Sequence, residues 1–387
     1  MLTKNISFKN FSSKKISIKI LKIFKKLKKE DNEILKSLGK NYKNSFNKKI
    51  INKYKKNSKV NLIGMGGSIL GARSIYNFLK HKIKKDFIFK DEFVSNKLSP
   101  KKSNKNLNII ISKSGNTLET ISNSNILINN KQKNIFITED KESYLMTLAK
   151  KLKADVVHHN NFIGGRYSVL SEVGMLPAEL MGLNIQKFKR YNDLIKNNQF
   201  INSLITNVYN ILLLIDKKRF NSIILNYDKK SNDLFYWYQQ LVAESLGKKG
   251  KGVFPIISTM PRDNHSLLQL YLDGPKNNFF TFFFVNENQS IKLNSSELLS
   301  SHLYLKNKSL NNICHSQFNA TLKVFKKKNI PFRSFYIKKR NEETLGELFT
   351  FFILETILLG KAMKLNPYDQ PAVELIKTET RNFLIKS

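Results

Sequence analysis

Short apolar runs alternate with segments of helical periodicity along most of the chain. Runs of four to eight apolar residues are typical of buried strands, whereas apolar residues three and four apart are typical of helices. This alternation favours a parallel sheet with helices on both faces. In the first half, the predicted strands are 60–64, 107–112, 134–138 and 155–158, and the helices between them are 72–80, 117–127 and 143–152.

The same alternation begins again in the second half. Its predicted strands are 222–225, 253–257, 279–285 and 332–337, and its helices are 235–246, 312–327 and 345–361. No sequence repeat links the halves, and the polar stretch 192–202 is the candidate boundary. We therefore predict an α/β protein of two tandem three-layer αβα sandwich domains with mainly parallel sheets and C-terminal helices. The predicted divisions are a basic helical segment 1–59, a first domain 60–195 and a second domain 196–387.

The N-terminal thirty residues contain many Lys, Ile and Ser residues, and 16–27 has apolar residues at helical spacing. Organelle targeting peptides favour arginine, and secretory signals have an uninterrupted apolar core. We predict instead a basic amphipathic helix that packs on the domain. The longest apolar run, 348–360, contains Glu355 and is too short to cross a bilayer. A cytoplasmic protein is expected.

Composition bounds the possible partners. The net charge of +38 is typical of nucleic-acid or membrane binding. However, the excess is mostly lysine spread over the whole chain, together with abundant Asn, Ile and Phe, so a bias toward A/T-rich codons explains it. Arginine is sparse, whereas nucleic-acid surfaces concentrate it. We predict no nucleic-acid or membrane partner. The single cysteine, Cys314, excludes a disulfide scaffold and fits a reducing compartment.

The segment 366–377 (NPYDQPAVELIK) is the most distinctive motif of the chain. Pro371 suits the first position of a helix, and Val373 and Ile376 would share an apolar face of that helix. Because Pro371 would fix the start of the helix, Lys377 would lie at a defined position on its surface. On its own, the segment also fits a surface helix with a Glu374–Lys377 pair.

Two glycine-containing turns are candidate phosphate sites. The turn 64–68 (GMGGS) lies between a predicted strand and helix, where backbone N–H groups can approach an anion. Its spacing differs from the dinucleotide motif, and a simple tight turn fits it equally well. The turn 112–120 (SKSGNTLET) also opens a helix and carries four hydroxyls and a lysine. Asn116 and Glu119 could cap the helix, but a cap needs only one hydroxyl or amide and this turn has four hydroxyls. We therefore favour the binding of a phosphate monoester here.

Three further residues have side chains suited to proton and charge transfer. Arg166 follows two glycines and can stabilise an oxyanion, although a structural salt bridge is the alternative. Glu244 can act as a general base, or simply pair with Lys248 one helical turn away. His265 follows a predicted strand and can move protons near neutral pH, or instead cap a helix.

The turn 112–120 resembles the sugar-phosphate loop of the sugar isomerase (SIS) fold. With the remaining segments, the chain resembles the glucose-6-phosphate isomerase (phosphoglucose isomerase) family over roughly residues 60–385. The matching segments are 164–168 (GGRYS), 243–248 (AESLGK), and a C-terminal signature from Gly360 through 368–370 (YDQ) and 372–374 (AVE) to Lys377. The resemblance implies reversible interconversion of glucose 6-phosphate and fructose 6-phosphate, a step of glycolysis and gluconeogenesis.

The family's residue roles transfer to matching positions of this sequence. Glu244 would be the base that moves the proton between C2 and C1, and Arg166 would stabilise the enediolate. His265 and Lys377 would open the sugar ring. The positions expected to bind the phosphate or the sugar hydroxyls are Gly67, Ser68, Ser112, Lys113, Ser114, Thr117, Thr120, Gln240 and Gln370.

The resemblance also bears on partners and cofactors. In the family, the His265 position reaches into the neighbouring subunit's site, which implies a homodimer. The reaction needs no redox cofactor. No metal site is expected, because His158 and His159 would point apart on a strand and Cys314 has no ligand cluster around it.

The chain departs from the family in two respects. It is shorter than many members, with nothing before residue 60 that matches, and Ala243 replaces the usual glycine before the base. Two alternatives remain open at this point. One is a bifunctional phosphoglucose/phosphomannose isomerase, which normally lacks the YDQP segment. The other is a non-catalytic sugar-phosphate regulator, which would add a DNA-binding domain.

Overall fold

A computed structural model describes residues 2–93, 106–287 and 289–386. The strands within these ranges are β1 (Ile6–Lys9), β2 (Lys59–Gly64), β3 (Asp86–Lys90), β4 (Asn106–Ile111), β5 (Lys133–Thr138), β6 (Asp155–His158), β7 (Asn221–Asn226), β8 (Phe254–Thr259), β9 (Asn278–Val285) and β10 (Phe332–Ile337). The helices are α1 (Ile18–Leu27), α2 (Glu33–Ser37), α3 (Lys48–Tyr54), α4 (Leu70–Phe78), α5 (Leu118–Leu127), α6 (Tyr144–Lys151), α7 (Glu172–Leu180), α8 (Tyr191–Leu194), α9 (Asn198–Asp216), α10 (Asn232–Leu246), α11 (Leu268–Asp273), α12 (Leu310–Lys327), α13 (Glu342–Ala362) and α14 (Val373–Lys386).

The first sheet has the order β3-β2-β4-β5-β6, and every pair in it is parallel. The carboxyl ends of parallel strands meet at one edge, so the turns after β2, β4 and β6 lie at the same edge of the sheet. These turns contain the predicted segments 64–68, 112–120 and 164–168. The predicted α/β architecture is therefore confirmed here. β3 was not predicted, because it is only partly buried and lacks a continuous apolar run.

The second sheet has the order β1-β10-β9-β7-β8. Four of its strands are parallel and match the predicted ones, whereas β1 pairs antiparallel with β10, placing Ile6 opposite Ile337. The N-terminal segment is therefore not only helical: it adds a strand to a sheet built mainly from residues after 220. The four residues of β1 are too few for their own pattern to predict a strand, and long-range pairing stabilises it.

Two helices test the predictions made for the basic segment 16–27 and for the longest apolar run, 348–360. In α1, Ile20, Phe24 and Leu27 are buried, which confirms the predicted amphipathic helix that packs on the protein. In α13 nearly every residue is buried, and Glu355 accepts a hydrogen bond from Arg333 Nη1 inside the core. The carboxylate in this apolar run therefore belongs to a buried ion pair. Within the described ranges, no helix has both the length and the apolar character needed to span a membrane.

Two other helices differ from expectation. α9 begins at Asn198, so the polar stretch proposed as a boundary already contains the start of a 19-residue helix. The division into domains stays a prediction, and residues 1 and 387 of its outer segments lie outside the described residues. α14 begins at Val373, two residues after Pro371, and none of its residues is buried. Its apolar side has no cover in the part of the chain that the structure describes.

Candidate active site

The turns after β2 and β6 meet in direct backbone contact. A Cβ atom on Gly67 would lie 2.2 Å from the carbonyl carbon of Gly165, so only glycine fits at this position. Gly66 has φ +52, and a Cβ there would lie 2.8 Å from the amide nitrogen of Gln240. The glycines of the first turn thus allow the Arg166 turn and helix α10 to approach it closely. Ser68 follows in the same turn, beside the end of β4.

Arg166 lies in a 3₁₀ turn after β6, and its side chain is only 1% exposed. Five acceptors surround the guanidinium group. Nε donates to Ser245 Oγ at 2.9 Å, and Nη1 donates to Glu244 Oε2 at 3.2 Å and to the side-chain oxygen of Gln370. Nη2 donates to the carbonyl oxygens of Pro367 and Asp369 at 2.9 and 3.0 Å. Because all three nitrogens donate hydrogen bonds, the plane of the guanidinium group is fixed.

Glu244 lies in the last turn of α10, and 29% of its side chain is exposed. One carboxylate oxygen accepts from Arg166, and the other accepts from Gln240 Nε2 at 2.8 Å. The alternative pairing with Lys248 is therefore wrong: Lys248 Nζ instead donates to Asp369 Oδ1 at 2.6 Å. That hydrogen bond holds the pKa of the Asp369 carboxyl below its usual range. Glu244 is thus held by two donors while keeping access to solvent.

The segment 366–370 reaches the cluster through its backbone and through Gln370. Tyr167 Oη donates to the Pro367 carbonyl at 2.9 Å and lies 2.8 Å from Ser245 Oγ. Burial raises the pKa of the Tyr167 phenol, so it stays a neutral donor. The sequence motifs contained Tyr167 and Ser245, but we gave neither a role. Their position directly beside Arg166 and Glu244 in the motifs was the available signal.

The predicted phosphate loop follows β4 and opens α5. Ser112 Oγ lies 2.8 Å from Thr117 Oγ1, and Lys113 Nζ donates to the Asn161 carbonyl at 2.8 Å. Ser114 is exposed, and Gly115 takes φ +69, a conformation that favours glycine. Pairing of Gly64 with Ile111 puts this loop next to the turn that contains Ser68.

The hydroxyls of this loop do not cap the helix. The N-cap residue of α5 is Thr117, whose side chain makes no capping hydrogen bond, and Asn116 Oδ1 accepts instead from the backbone N–H of Tyr144. The predicted alternative, capping by Asn116, is therefore wrong. Thr120 Oγ1 is buried and has no hydrogen-bond partner in the described part of the chain. The first N–H groups of α5 therefore have no side-chain cap and remain available to an anion.

Two predicted catalytic residues lie apart from this cluster. His265 ends a 3₁₀ turn after β8 and is exposed, and its imidazole makes no hydrogen bond or ion pair with other described residues. Lys377 lies on α14, is 68% exposed, and pairs with Glu374 at 2.6 Å. Within one chain, Lys377 therefore has the surroundings of a surface residue.

The structure thus brings together part of the predicted site. One group comprises Gly67, Arg166, Gln240, Glu244 and Gln370. The adjacent group, beside the end of β2, comprises Ser68, Ser112, Lys113, Ser114, Thr117 and Thr120. Among the described residues, no cluster of three or more His, Cys, Asp or Glu side chains is arranged to hold a metal ion. The buried pair His159–Glu172, near Arg166 in the chain, was not predicted.

Solved structures agree with this architecture. A hypothetical protein from Thermus thermophilus superimposes with a TM-score of 0.81 at 21% identity, covering 95% of this chain and 94% of that one. A glucose-6-phosphate isomerase from Chlamydia trachomatis superimposes with a TM-score of 0.70 at 18% identity, covering 91% of this chain and 73% of that one. At these identities the two structures support the fold.

Sequence comparison gives the family. The chain is 34% identical over 352 residues to a glucose-6-phosphate isomerase from Mycoplasmopsis pulmonis, covering 84% of this chain and 82% of that protein. It is 32% identical over 357 residues to a probable glucose-6-phosphate isomerase from Methanococcus maripaludis, covering 84% of this chain and 78% of that protein. The profile of the phosphoglucose isomerase family matches residues 25–384, so the match begins well before the motifs at residue 60. The chain belongs to the phosphoglucose isomerase family.

Proposed function

We propose that this chain interconverts D-glucose 6-phosphate and D-fructose 6-phosphate by proton transfer through a cis-enediol. The observation that carries the proposal is the pairing of Arg166 with Glu244, with 3.2 Å between Nη1 and Oε2. A carboxylate base and a fixed cation in contact are the two groups that an aldose–ketose isomerisation needs at the reacting carbons. The neighbouring loop 112–120 provides the donors for a phosphate monoester.

The reaction between C1 and C2 uses one base in both directions. In the open-chain aldose, Glu244 takes the C2 proton, and the electron pair forms the C1–C2 double bond as the C1 carbonyl oxygen becomes the enediolate oxygen. Arg166 stabilises that negative charge because its guanidinium is already oriented by five acceptors. Transfer of the C2 hydroxyl proton to the oxygen at C1 and return of the first proton to C1 give the ketose. Gln240 and Gln370 orient the sugar hydroxyls.

The phosphate would anchor the substrate at the start of α5. Ser112, Thr117 and Thr120 present hydroxyls, and the helix dipole favours a dianion at this end. Lys113 adds positive charge from the same loop. Anchoring at C6 supplies binding energy that orients C1 and C2 against Glu244. Ser68 lies in the neighbouring turn after β2, and Gly67 of that turn packs against Gly165.

We infer that ring opening requires a second chain. His265 and Lys377 are assigned to it, yet both are exposed in one chain. Exposed apolar side chains on one side of α14 support assembly: Leu375, Ile376 and Phe383 are each at least 72% exposed. Such a face is typical of an interaction surface. We propose a homodimer in which His265 acts in the partner's site.

Subunit complementation tests this homodimer. The variants His265→Ala and Glu244→Gln are each expected to be nearly inactive. When they are denatured together and refolded, half of the dimers are mixed and each mixed dimer regains one intact site. We then expect about a quarter of the wild-type activity. No recovery would contradict the sharing of a site between subunits, although the isomerase function would still stand.

Turnover of fructose 6-phosphate, measured by glucose 6-phosphate formation with purified protein, tests the function itself. We expect turnover that Glu244→Gln abolishes. Binding of fructose 6-phosphate without turnover would favour the regulator and contradict the proposal. A rate with mannose 6-phosphate comparable to that with glucose 6-phosphate would contradict the monofunctional assignment and favour the bifunctional enzyme.

A further inference from the structure

The buried carboxylate of Glu172 joins the two ends of the segment that contains Arg166. Glu172, the first residue of α7, accepts from His159 Nδ1 at 3.1 Å and from the backbone N–H of Asn160 at 2.7 Å. Both side chains of the His159–Glu172 pair are 1% exposed. Residues 159–172 therefore form a loop with its ends tied together, and Arg166 lies at the middle of that loop.

Glu172 is ionised in this environment. Burial alone would raise the pKa of its carboxyl, but hydrogen bonds from His159 and the Asn160 backbone lower it below the usual value. Since an ionised carboxylate only accepts, His159 donates through Nδ1. Tyr42 Oη donates to the second carboxylate oxygen at 2.9 Å. The closure therefore uses charge-assisted hydrogen bonds, which hold geometry more strongly than neutral ones.

The tied loop also touches the candidate phosphate loop. Lys113 Nζ donates to the Asn161 carbonyl at 2.8 Å, one residue from the Asn160 N–H that Glu172 accepts. On the other side, Lys189 Nζ donates to the carbonyl of Leu170, the last residue of the 3₁₀ turn of Arg166. Displacement of residues 159–163 would thus move the turn of Arg166 and the environment of Lys113 together.

We propose that His159 and Glu172 are positioning residues that hold Arg166 in register with Glu244. Neither residue touches the Arg166–Glu244 pair itself. Their action passes through the backbone of residues 160–171, which carries the guanidinium to its five acceptors. The inference rests on the proposed role of Arg166. A misplacement of about 1 Å at a reacting group can lower a rate on the order of 100-fold, so a remote tie of this kind affects catalysis.

Kinetics of two pairs of variants test the proposal. In Glu172→Leu and His159→Leu we expect kcat to fall about 10- to 100-fold, while KM for fructose 6-phosphate rises by a smaller factor because Lys113 contacts the same loop. His159→Asn keeps a donor at the Nδ1 position, so we expect kcat to return to within about threefold of wild type. A residue needed only for folding would lower thermal stability in both His159 variants without this recovery of kcat. Loss of kcat in His159→Asn equal to that in His159→Leu would contradict the proposal.

The neighbouring pair His158–Asp140 is a matched control. Its atoms are 3.7 Å apart, and both side chains are at least half exposed. We expect His158→Leu to leave kcat unchanged. A fall in kcat equal to that of His159→Leu would show that any change at the end of β6 disturbs the site, and would overturn the specific role of His159.

A double-mutant cycle separates this inference from the proposed role of Arg166. Glu172→Leu is combined with Arg166→Lys, which removes the planar fork. If Glu172 acts through Arg166, its replacement should lower kcat less than about threefold further in the Arg166→Lys background. Full additivity would overturn the positioning role while leaving Arg166 catalytic. Wild-type kcat in Arg166→Lys would instead contradict the proposed function.

Discussion

Gly67 and Gly165 touch through their backbones, and this contact joins the turn after β2 to the turn that carries Arg166. A Cβ on Gly67 would lie 2.2, 2.4 and 2.5 Å from the carbonyl carbon and oxygen of Gly165 and the nitrogen of Arg166. All three are backbone atoms, which cannot rotate away as a side chain can. The position of the guanidinium therefore depends on the absence of one methyl group on a neighbouring turn.

The first prediction concerns this contact. Gly67→Ala should lower kcat at least about tenfold by displacing the Arg166 turn, and should lower the free energy of unfolding by about 1–3 kcal/mol through overpacking. Gly164→Ala is the control, because its added Cβ would meet nothing closer than Tyr167 Cδ2 at 3.9 Å. Steady-state kinetics and denaturant unfolding measure both effects. Equal behaviour of the two variants would contradict the argument.

The second prediction concerns the base. Glu244→Gln keeps the shape of the side chain but cannot accept the C2 proton. Isomerisation should fall at least about 100-fold, while KM or direct binding of fructose 6-phosphate changes little. Glu343→Gln is a matched control, since Glu343 has 26% side-chain exposure and pairs with Lys4 on another face. Near-wild-type turnover in Glu244→Gln would remove Glu244 from its role.

The third prediction concerns Thr120. Its buried hydroxyl has no partner among the described residues, so Thr120→Val should leave the free energy of unfolding unchanged or raise it. If the hydroxyl donates to the phosphate, KM for fructose 6-phosphate should rise about tenfold. Thr321→Val is the opposite case: Thr321 Oγ1 bonds with Tyr227 Oη and the Gln317 carbonyl, both at 2.9 Å. That variant should lose about 1 kcal/mol of stability and keep its KM. An unchanged KM in Thr120→Val would exclude Thr120 from phosphate binding.

The fourth prediction concerns stability against pH. Burial lowers the pKa of the Lys189 ammonium to about 7, with Glu172 acting in the opposite direction. In the unfolded chain the pKa is about 10.4, so between pH 7 and 10 the unfolded state holds a proton that the folded state has lost. The free energy of unfolding should therefore rise with pH, by up to about 1.4 kcal/mol per pH unit from this group.

Unfolding curves from pH 7 to 9 measure this slope. Lys189→Met should remove the contribution, whereas Lys187→Met, at an exposed neighbouring position, should keep it. The slope of wild type minus that of Lys189→Met is the relevant quantity, because other titrating groups cancel in the difference. A difference of zero would contradict the lowered pKa.

Local patterns were enough to predict the parallel sheets and the turns of the candidate site. The strands are apolar because they are buried on both faces, and glycines mark the turns where backbones approach. The ties between these turns were not predictable from residue types. Arg166 donates to the backbone carbonyls of Pro367 and Asp369, and every residue type presents the same carbonyl. Likewise, β1 forms a strand only because it pairs with β10, more than 300 residues later in the chain.

The segment 366–377 shows a second limit of prediction from sequence. Its helical part forms close to where Pro371 predicts it, and the side-chain oxygen of Gln370 accepts from Arg166 Nη1. Lys377, on the same segment, is exposed and paired with Glu374. A sequence pattern reports that a helix has an apolar face, but not which surface covers that face. Among the described residues of one chain, none of the residues of α14 is buried.

Deuterium incorporation during turnover tests proton transfer by Glu244. Fructose 6-phosphate is converted in deuterated water, and the glucose 6-phosphate formed is examined by proton NMR at C2. Because Glu244 would exchange its proton with solvent while the enediol is bound, we predict deuterium at C2 of the product. Turnover with no deuterium at C2 would contradict proton transfer by Glu244.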